Sequence, residues 1–233
     1  MKRIISIICV ASVLVLAAGC GNNPKGGKQS EAEAEAEAQA AADSLVKVEK
    51  AMKTMEKIAA MPEEPVFDIV TSLGTIKVRL FADTPKHREN FAKLAFEGYY
   101  DGLQFHRIIK NYMIQGGDPL TKDPNRVAEY GTGGPGYQIE AEIRPDHHHK
   151  KGALAAARKG DIANPMKESR GAQFYIVQSE EGCRHLDGEY TIFGETIDGF
   201  KVIDDIAAVQ TNPRGLPDNP IRIIAIKYDE ELN

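Results

Sequence analysis

The chain has 233 residues, a formal net charge of −5, 42% apolar residues and no tryptophan. This length suits one medium-sized domain with appendages. Because the composition is mildly acidic, it offers no basic footprint for nucleic acid, and no nucleic-acid partner is predicted.

The N-terminal segment has the pattern of an export signal. Two basic residues precede an apolar run over residues 4–18, which is shorter than the roughly 20 residues that a membrane-spanning helix needs. Small residues then precede Cys20, and this junction resembles the bacterial lipobox, whose cysteine is lipidated after cleavage, although Ala17 stands where leucine is usual. We therefore expect a signal peptide over residues 1–19, a lipid anchor on Cys20 and a place in the cell envelope facing the periplasm, with plain secretion as the alternative. Cys183 would remain as a free thiol, so no internal disulfide is predicted.

The next segment is predicted to be a tether followed by a helical stalk. Residues 20–30 are polar and contain several glycines, which is typical of a flexible tether. Residues 31–61 are rich in alanine, glutamate and lysine, which favour a helix that Pro62 ends. Apolar residues recur in this helix at three- and four-residue spacing and form a seam. The larger seam residues are Leu45, Val48, Met52 and Met55.

This seam leaves two interpretations open. Several of its positions are alanine and bury little surface, so we expect a solvated spacer on a monomeric protein. The alternative is a weak coiled-coil dimer.

Residues 62–233 are predicted to form one β-rich domain. Alternating runs predict a hairpin at 67–81, strands at 104–109, 112–116, 138–141, 152–157, 173–178 and 190–194, and a closing strand at 221–228. One helix is predicted to start at Pro85 and stop before Gly98, and a second to cover 199–208 with Phe200, Ile203 and Ile206 facing inward. Many short strands with two helices favour a barrel or a sandwich.

An arginine inside an apolar strand is the most informative single feature. Alternation places Arg107 on one face with Phe105 and Ile109. A buried guanidinium is costly unless its five donors are used, because it cannot lose its charge. Taken alone, the segment fits either a structural ion pair or a functional donor.

Six short motifs follow one another along the domain, and their order is informative. They are FHRII at 105–109, MIQGGD at 113–118, GTGG at 131–134, QFYI at 173–176, LDG at 186–188 and IFG at 192–194. Together they resemble the cyclophilin family of peptidyl-prolyl cis-trans isomerases, over roughly residues 66–228. The resemblance implies a closed eight-stranded antiparallel barrel with a helix covering each end.

The chemistry that this resemblance implies needs no cofactor, metal or nucleophile. Rotation about an X–Pro amide is slow because the nitrogen lone pair is delocalised into the carbonyl. A donor aimed at that nitrogen binds the twisted state preferentially. Arg107 fits this role, and Gln115 would position the substrate carbonyl or hold Arg107.

The resemblance also assigns the residues that bind a proline-containing polypeptide. Tyr112, Met113, Tyr175 and Leu186 would form an apolar slot for the proline ring, with Phe174 beside it. Gln173 would support Gln115, the backbone of Ala157 and Arg158 would bind the residue before proline, and Tyr190 would form the rim. His185 replaces a tryptophan that helps many members bind cyclosporin-type ligands, so sensitivity to them stays open.

Other readings of the sequence remain. The same fold could serve as a non-catalytic peptide-binding or chaperone module, or the helix could be the functional part of a scaffold. Three successive histidines, 147–149, are predicted to lie in a solvated turn and not to bind metal, because neighbouring residues do not easily converge on one ion.

Overall fold

The computed structural model describes residues 27–233, with side chains from residue 33 onward. The predicted signal peptide, the lipidation at Cys20 and the first part of the tether lie outside the described residues. Contacts divide the chain after Glu49, and Lys50–Asn233 forms one compact unit. Within the described part of the chain, no helix combines the length and apolarity needed to cross a membrane.

The predicted stalk is a single helix, α1 (Gly27–Ala60), that begins a few residues earlier than expected. Its seam is exposed, as Leu45 and Met55 show with exposed fractions of 71% and 64%. A different face of its last turns packs on the domain: Thr54 is 4% exposed and Ile58 contacts the core. The compact unit therefore starts at Lys50, ahead of the predicted boundary at residue 62.

In residues 27–233, nine antiparallel strands form one curled sheet, and every predicted strand is present with shifted ends. The strands are β1 (Val66–Thr71), β2 (Gly74–Leu80), β3 (Arg107–Ile109), β4 (Met113–Gly116), β5 (Gln138–Ile139), β6 (Ala153–Arg158), β7 (Ser169–Val177), β8 (Ile192–Asp198) and β9 (Ile223–Tyr228). Their order in the sheet is β3-β4-β7-β6-β8-β2-β1-β9, and β5 pairs with β7 outside this path.

The predicted closed barrel of eight strands is not confirmed, because the path from β3 to β9 is that of an open half-barrel. In the described residues the two ends meet at the isolated bridge between Gln104 and Arg222. The outer edge of β3 is instead covered by a loop, since the Ile108 N–H donates to the Gly215 carbonyl at 2.7 Å. That loop therefore takes an outward hydrogen bond of β3, while the segments that precede β3 and β9 bond to each other through the Phe105 N–H and the Ile221 carbonyl.

The inner face of the sheet holds an aromatic core covered by α2 (Pro85–Phe96) and α3 (Phe200–Ala207). Phe91 of α2 lies 5.3 Å from Tyr100 and 5.7 Å from Phe174 between ring centroids. Ile203 and Ile206 are buried as predicted. Phe200 was expected to face inward but is 38% exposed, because it is the first residue of its helix.

Alternation along the central strands creates a second apolar cluster on the opposite face. In β7, Phe174 belongs to the inner core whereas Tyr175 belongs to the outer cluster. In β6 the outward residues are all alanine, namely Ala153, Ala155 and Ala157. These small side chains leave room on the sheet surface for a shallow cavity.

Candidate active site

A cavity of about 150 Å³ lies on this outer face. It is lined by Arg107, Tyr112, Met113, Gln115, Ala157, Arg158, Tyr175, Leu186 and Tyr190. The structure therefore brings together every predicted site residue of the domain except Gln173 and Phe174.

Phe174 does not contribute to the cavity, so its predicted place beside the proline slot is wrong. Successive side chains of a strand point to opposite faces, and its neighbour Tyr175 takes the outward position. Phe174 instead packs edge-on against Phe91 and Tyr100 in the inner core.

Gln173 does not line the cavity, but it lies on the neighbouring strand β7 and bonds to Gln115. Arg107 and Gln115 stand directly opposite each other on β3 and β4. The Gln115 Nε2 donates to Gln173 Oε1 at 3.1 Å, and the Gln173 Nε2 donates to the Gly133 carbonyl at 2.8 Å. Gln173 thus fixes the orientation of Gln115, whose amide bonds to Gln173 and not to Arg107.

The Arg107 guanidinium has a setting that suits a functional donor better than an ion pair. No carboxylate among the described residues pairs with it. Its Nη1 lies 3.8 Å from Met113 Sδ, and its Cζ lies 6.0 Å from the centroid of the Tyr112 ring. The expectation that Phe105 shares this face is wrong, because β3 begins only at Arg107 and Phe105 turns into the inner core. Ile109 does belong to the outer cluster.

The rim of the cavity is held by stacked side chains. The Arg158 Cζ lies 4.6 Å from the Tyr190 ring centroid, and its Nε donates to the Glu189 carbonyl at 2.7 Å. Tyr190 in turn meets Tyr175 edge-to-face, with ring centroids 5.8 Å apart. Arg158 therefore contributes its side chain to the rim in addition to the predicted backbone role. On the other side, His185 stacks on Tyr112 at 5.9 Å.

One residue of the site was missed by the sequence analysis. His149 was predicted to lie in a solvated turn, yet its side chain is completely buried beneath Tyr175. Its Nε2 lies 2.9 Å from the Tyr175 hydroxyl and its Nδ1 2.8 Å from an Asp187 oxygen. Three successive histidines gave no signal for this, because only contacts with distant residues distinguish His149 from His148, which is 57% exposed.

Within the described residues, one cluster has metal-ligand chemistry: atoms of Asp83, Asp146 and His147 lie within 4.8 Å of one another. Arg144 lies 3.7 Å from the same Asp83 carboxylate. Both carboxylates are exposed, so this arrangement is that of a surface ion-pair group and lies apart from the cavity residues.

Comparison with known proteins agrees with this geometry. Residues 66–228 match the family model for cyclophilin type peptidyl-prolyl cis-trans isomerase/CLD. The chain is 42% identical to peptidyl-prolyl cis-trans isomerase CYP18-1 of Arabidopsis thaliana over 66% of its own length and 89% of the relative. It is 35% identical to human peptidyl-prolyl cis-trans isomerase-like 1 over 72% of its length and 96% of the relative.

Solved structures of the same family are also similar to this chain. A cyclophilin type peptidyl-prolyl cis-trans isomerase from Cryptosporidium parvum superposes with a TM-score of 0.63 at 32% identity, over 72% of this chain and 98% of that one. A second structure of that protein, determined in the presence of the dipeptide Ala-Pro, gives a TM-score of 0.62 at 32% identity, over 71% of this chain and 99% of that one. The chain belongs to the cyclophilin-type peptidyl-prolyl cis-trans isomerases.

Proposed function

We propose that the cavity on the outer face of the sheet is where this isomerase twists X–Pro bonds, with Arg107 as the catalytic group. The observation that carries this proposal is a guanidinium with no carboxylate partner among the described residues, beside a small cavity that Met113, Tyr175 and Leu186 help to line. The Ala-Pro dipeptide used with the Cryptosporidium parvum relative supports proline-containing polypeptides as substrates.

The energetics indicate what the site must supply. Rotation about the amide has a barrier of about 18–20 kcal/mol. Moving the exchange from about 100 s to milliseconds requires lowering it by roughly 6–7 kcal/mol. In the twisted state the prolyl nitrogen regains its lone pair, and a donor from Arg107 stabilises that lone pair only there. The remainder comes from holding the substrate in a fixed orientation in a pre-shaped cavity.

The remaining cavity residues orient the substrate. Met113, Tyr175 and Leu186 contact the proline ring in the planar and twisted states alike, so they supply affinity. Gln115, fixed by Gln173, positions the carbonyl of the twisting bond. The pairing of β6 with β7 shifts register between Ala156 and Arg158, and this irregularity supports a role for the intervening backbone in binding the residue before proline.

The decisive experiment replaces Arg107 with alanine in the full-length chain. We expect kcat/KM on a Pro-peptide to fall about tenfold to a hundredfold, because a donor used mainly in the twisted state is lost. Arg107→Lys should recover little, since an ammonium lacks the planar fork of donors. Arg184→Ala is the matched control, because it removes the same charge from an exposed position near the cavity.

Each possible outcome has a clear meaning. Normal activity in Arg107→Ala would remove Arg107 from the mechanism. Absence of activity in the wild-type chain would favour the peptide-binding or chaperone alternative.

The proposed setting of this activity is the cell envelope, on extracytoplasmic polypeptides whose folding it assists. The apolar run at 4–18 followed by Cys20 supports a signal peptide and a lipid anchor facing the periplasm. Mass spectrometry of the mature N-terminus tests this: we expect a chain that starts at a lipidated Cys20, and Cys20→Ser should abolish the lipid. A different start, or an unmodified cysteine, contradicts the anchor.

A further inference from the structure

His149 occupies a place beneath the cavity that its exposed neighbours do not share. Its backbone N–H and its ring Nδ1 both lie 2.8 Å from the same Asp187 oxygen. On the far side of the ring, Nε2 lies 2.9 Å from the Tyr175 hydroxyl. His149 thus connects the loop that carries Asp187 to the aromatic wall of the proline slot.

The positions of the protons follow from the partners. Burial opposes ionisation of Asp187, but hydrogen bonds from His149 and His148 nevertheless lower its pKa, so the carboxylate is charged and can only accept. The proton between them therefore sits on Nδ1 of His149, and Nε2 carries a lone pair. Burial raises the pKa of Tyr175 well above its usual value, so its hydroxyl keeps its proton and donates it to Nε2.

We propose that His149 is a positioning residue of the isomerase, which holds the Tyr175 ring in place as a wall of the proline slot through this hydrogen bond. The inference rests on the function proposed for the cavity. The two rings lie nearly parallel, with an interplanar angle of 8° and centroids 6.0 Å apart. Tyr190 lies roughly perpendicular to both rings, so the Tyr175 ring is fixed in direction by the hydroxyl and in tilt by its neighbours.

The arrangement requires a neutral imidazole. Burial lowers the pKa of His149, and the Asp187 carboxylate opposes this only in part. The other titratable groups facing it are His148 on its own segment, His185 and Cys183 near Asp187, and Tyr190 with Arg158 above it. Protonation would turn Nε2 into a donor, so the Tyr175 proton would lose its acceptor and the slot would loosen in acid.

A double-mutant cycle in the full-length chain tests the coupling. Tyr175→Phe removes the hydroxyl and keeps the ring, and His149→Leu removes the acceptor and keeps an apolar filling. Each should raise KM about threefold to tenfold with kcat within about twofold, because the slot binds the proline ring in both the planar and the twisted state. The KM of the double variant should be no higher than that of the more impaired single variant. The reason is that the double variant leaves neither the Tyr175 hydroxyl nor the His149 acceptor without its partner. His148→Gln is the control: it contacts the same carboxylate from the exposed side and should leave KM unchanged.

Multiplicative effects in the double variant, or unchanged KM in both single variants, would overturn the inference. A second measurement decides the matter if His149→Leu does not fold. With a capped X–Pro peptide that has no titratable group, the wild-type KM should rise as the pH falls through a value below 6.5, and Tyr175→Phe should lack this acid limb. An identical acid limb in Tyr175→Phe overturns the inference.

These results are also distinct from those that test the role of Arg107. Loss of the twisted-state donor lowers kcat, whereas loss of the positioning bond raises KM. If Arg107→Ala has normal activity and the double-mutant cycle still shows coupling between His149 and Tyr175, the substrate binds in the slot but Arg107 is not the donor.

Discussion

The histidine of the FHRII motif should make the stability of the fold depend on pH. His106 is 5% exposed, and neither of its ring nitrogens makes a hydrogen bond of ordinary geometry with the described residues, although the Gln104 backbone lies close enough to favour the charged ring. Burial lowers its pKa to about 4 from the ordinary 6.5, although the charge of nearby Asp118 opposes the shift. The neutral ring is therefore the native form.

The sign and size of the effect follow from linkage. The unfolded chain binds a proton at His106 more tightly than the native state, so the free energy of unfolding is highest above pH 6.5 and falls as the pH drops towards about 4. One pKa unit corresponds to about 1.4 kcal/mol, which gives about 3 kcal/mol for the complete change and about 2 kcal/mol at pH 5.

Urea unfolding of the wild-type chain and His106→Leu at pH 7 and pH 5 measures this directly. Leucine breaks no hydrogen bond of ordinary geometry, because His106 makes none with the described residues. Titratable groups that do not interact with His106, including His149, contribute equally to both proteins and cancel in the comparison. We expect the wild type to lose about 2 kcal/mol more than the variant between the two pH values. Equal losses would refute the reasoning.

Three further outcomes are expected. Gly117→Ala should destabilise the fold by roughly 2 kcal/mol or more in urea melts, because φ is +88° and a Cβ would lie 2.1 Å from the Ala172 carbonyl oxygen. Gly102→Ala, at φ +78° in open space, should cost only about 1 kcal/mol, and equal costs would contradict the steric argument. Residues 62–233 should melt several degrees below residues 50–233, since the truncation removes the packed Thr54 and Ile58; identical melting temperatures would make α1 a pure spacer. A cyclosporin-type ligand should bind weakly and gain affinity in calorimetry when His185→Trp and Tyr190→His are combined, whereas tight binding to the unmodified chain would show that these positions do not decide it.

The sequence identified most of the site because its six motifs, in their order, resemble those of a known family. That resemblance assigned Arg107, Gln115 and Tyr175 to one site before the strands were seen to pair, and the cavity contains all three. The start of α2 at Pro85 also follows from chain-local rules.

Two aromatic residues close to the site residues in sequence were placed on the wrong face. Phe105 and Phe174 both belong to the inner core. The start of β3 at Arg107 decided the first case, and the parity of β7 decided the second.

Only the tertiary structure decided which groups meet across long stretches of chain. Whether the sheet closes depends on what meets the outer edge of β3, and there the Ile108 N–H bonds to the Gly215 carbonyl of a loop and not to a strand. The last turns of α1 pack on the domain through Thr54 and Ile58, not through the seam that the spacing suggests. His149 differs from the two histidines before it because Asp187 and Tyr175 reach it from other elements, and burial with two partners is a property of the fold that no local pattern encodes.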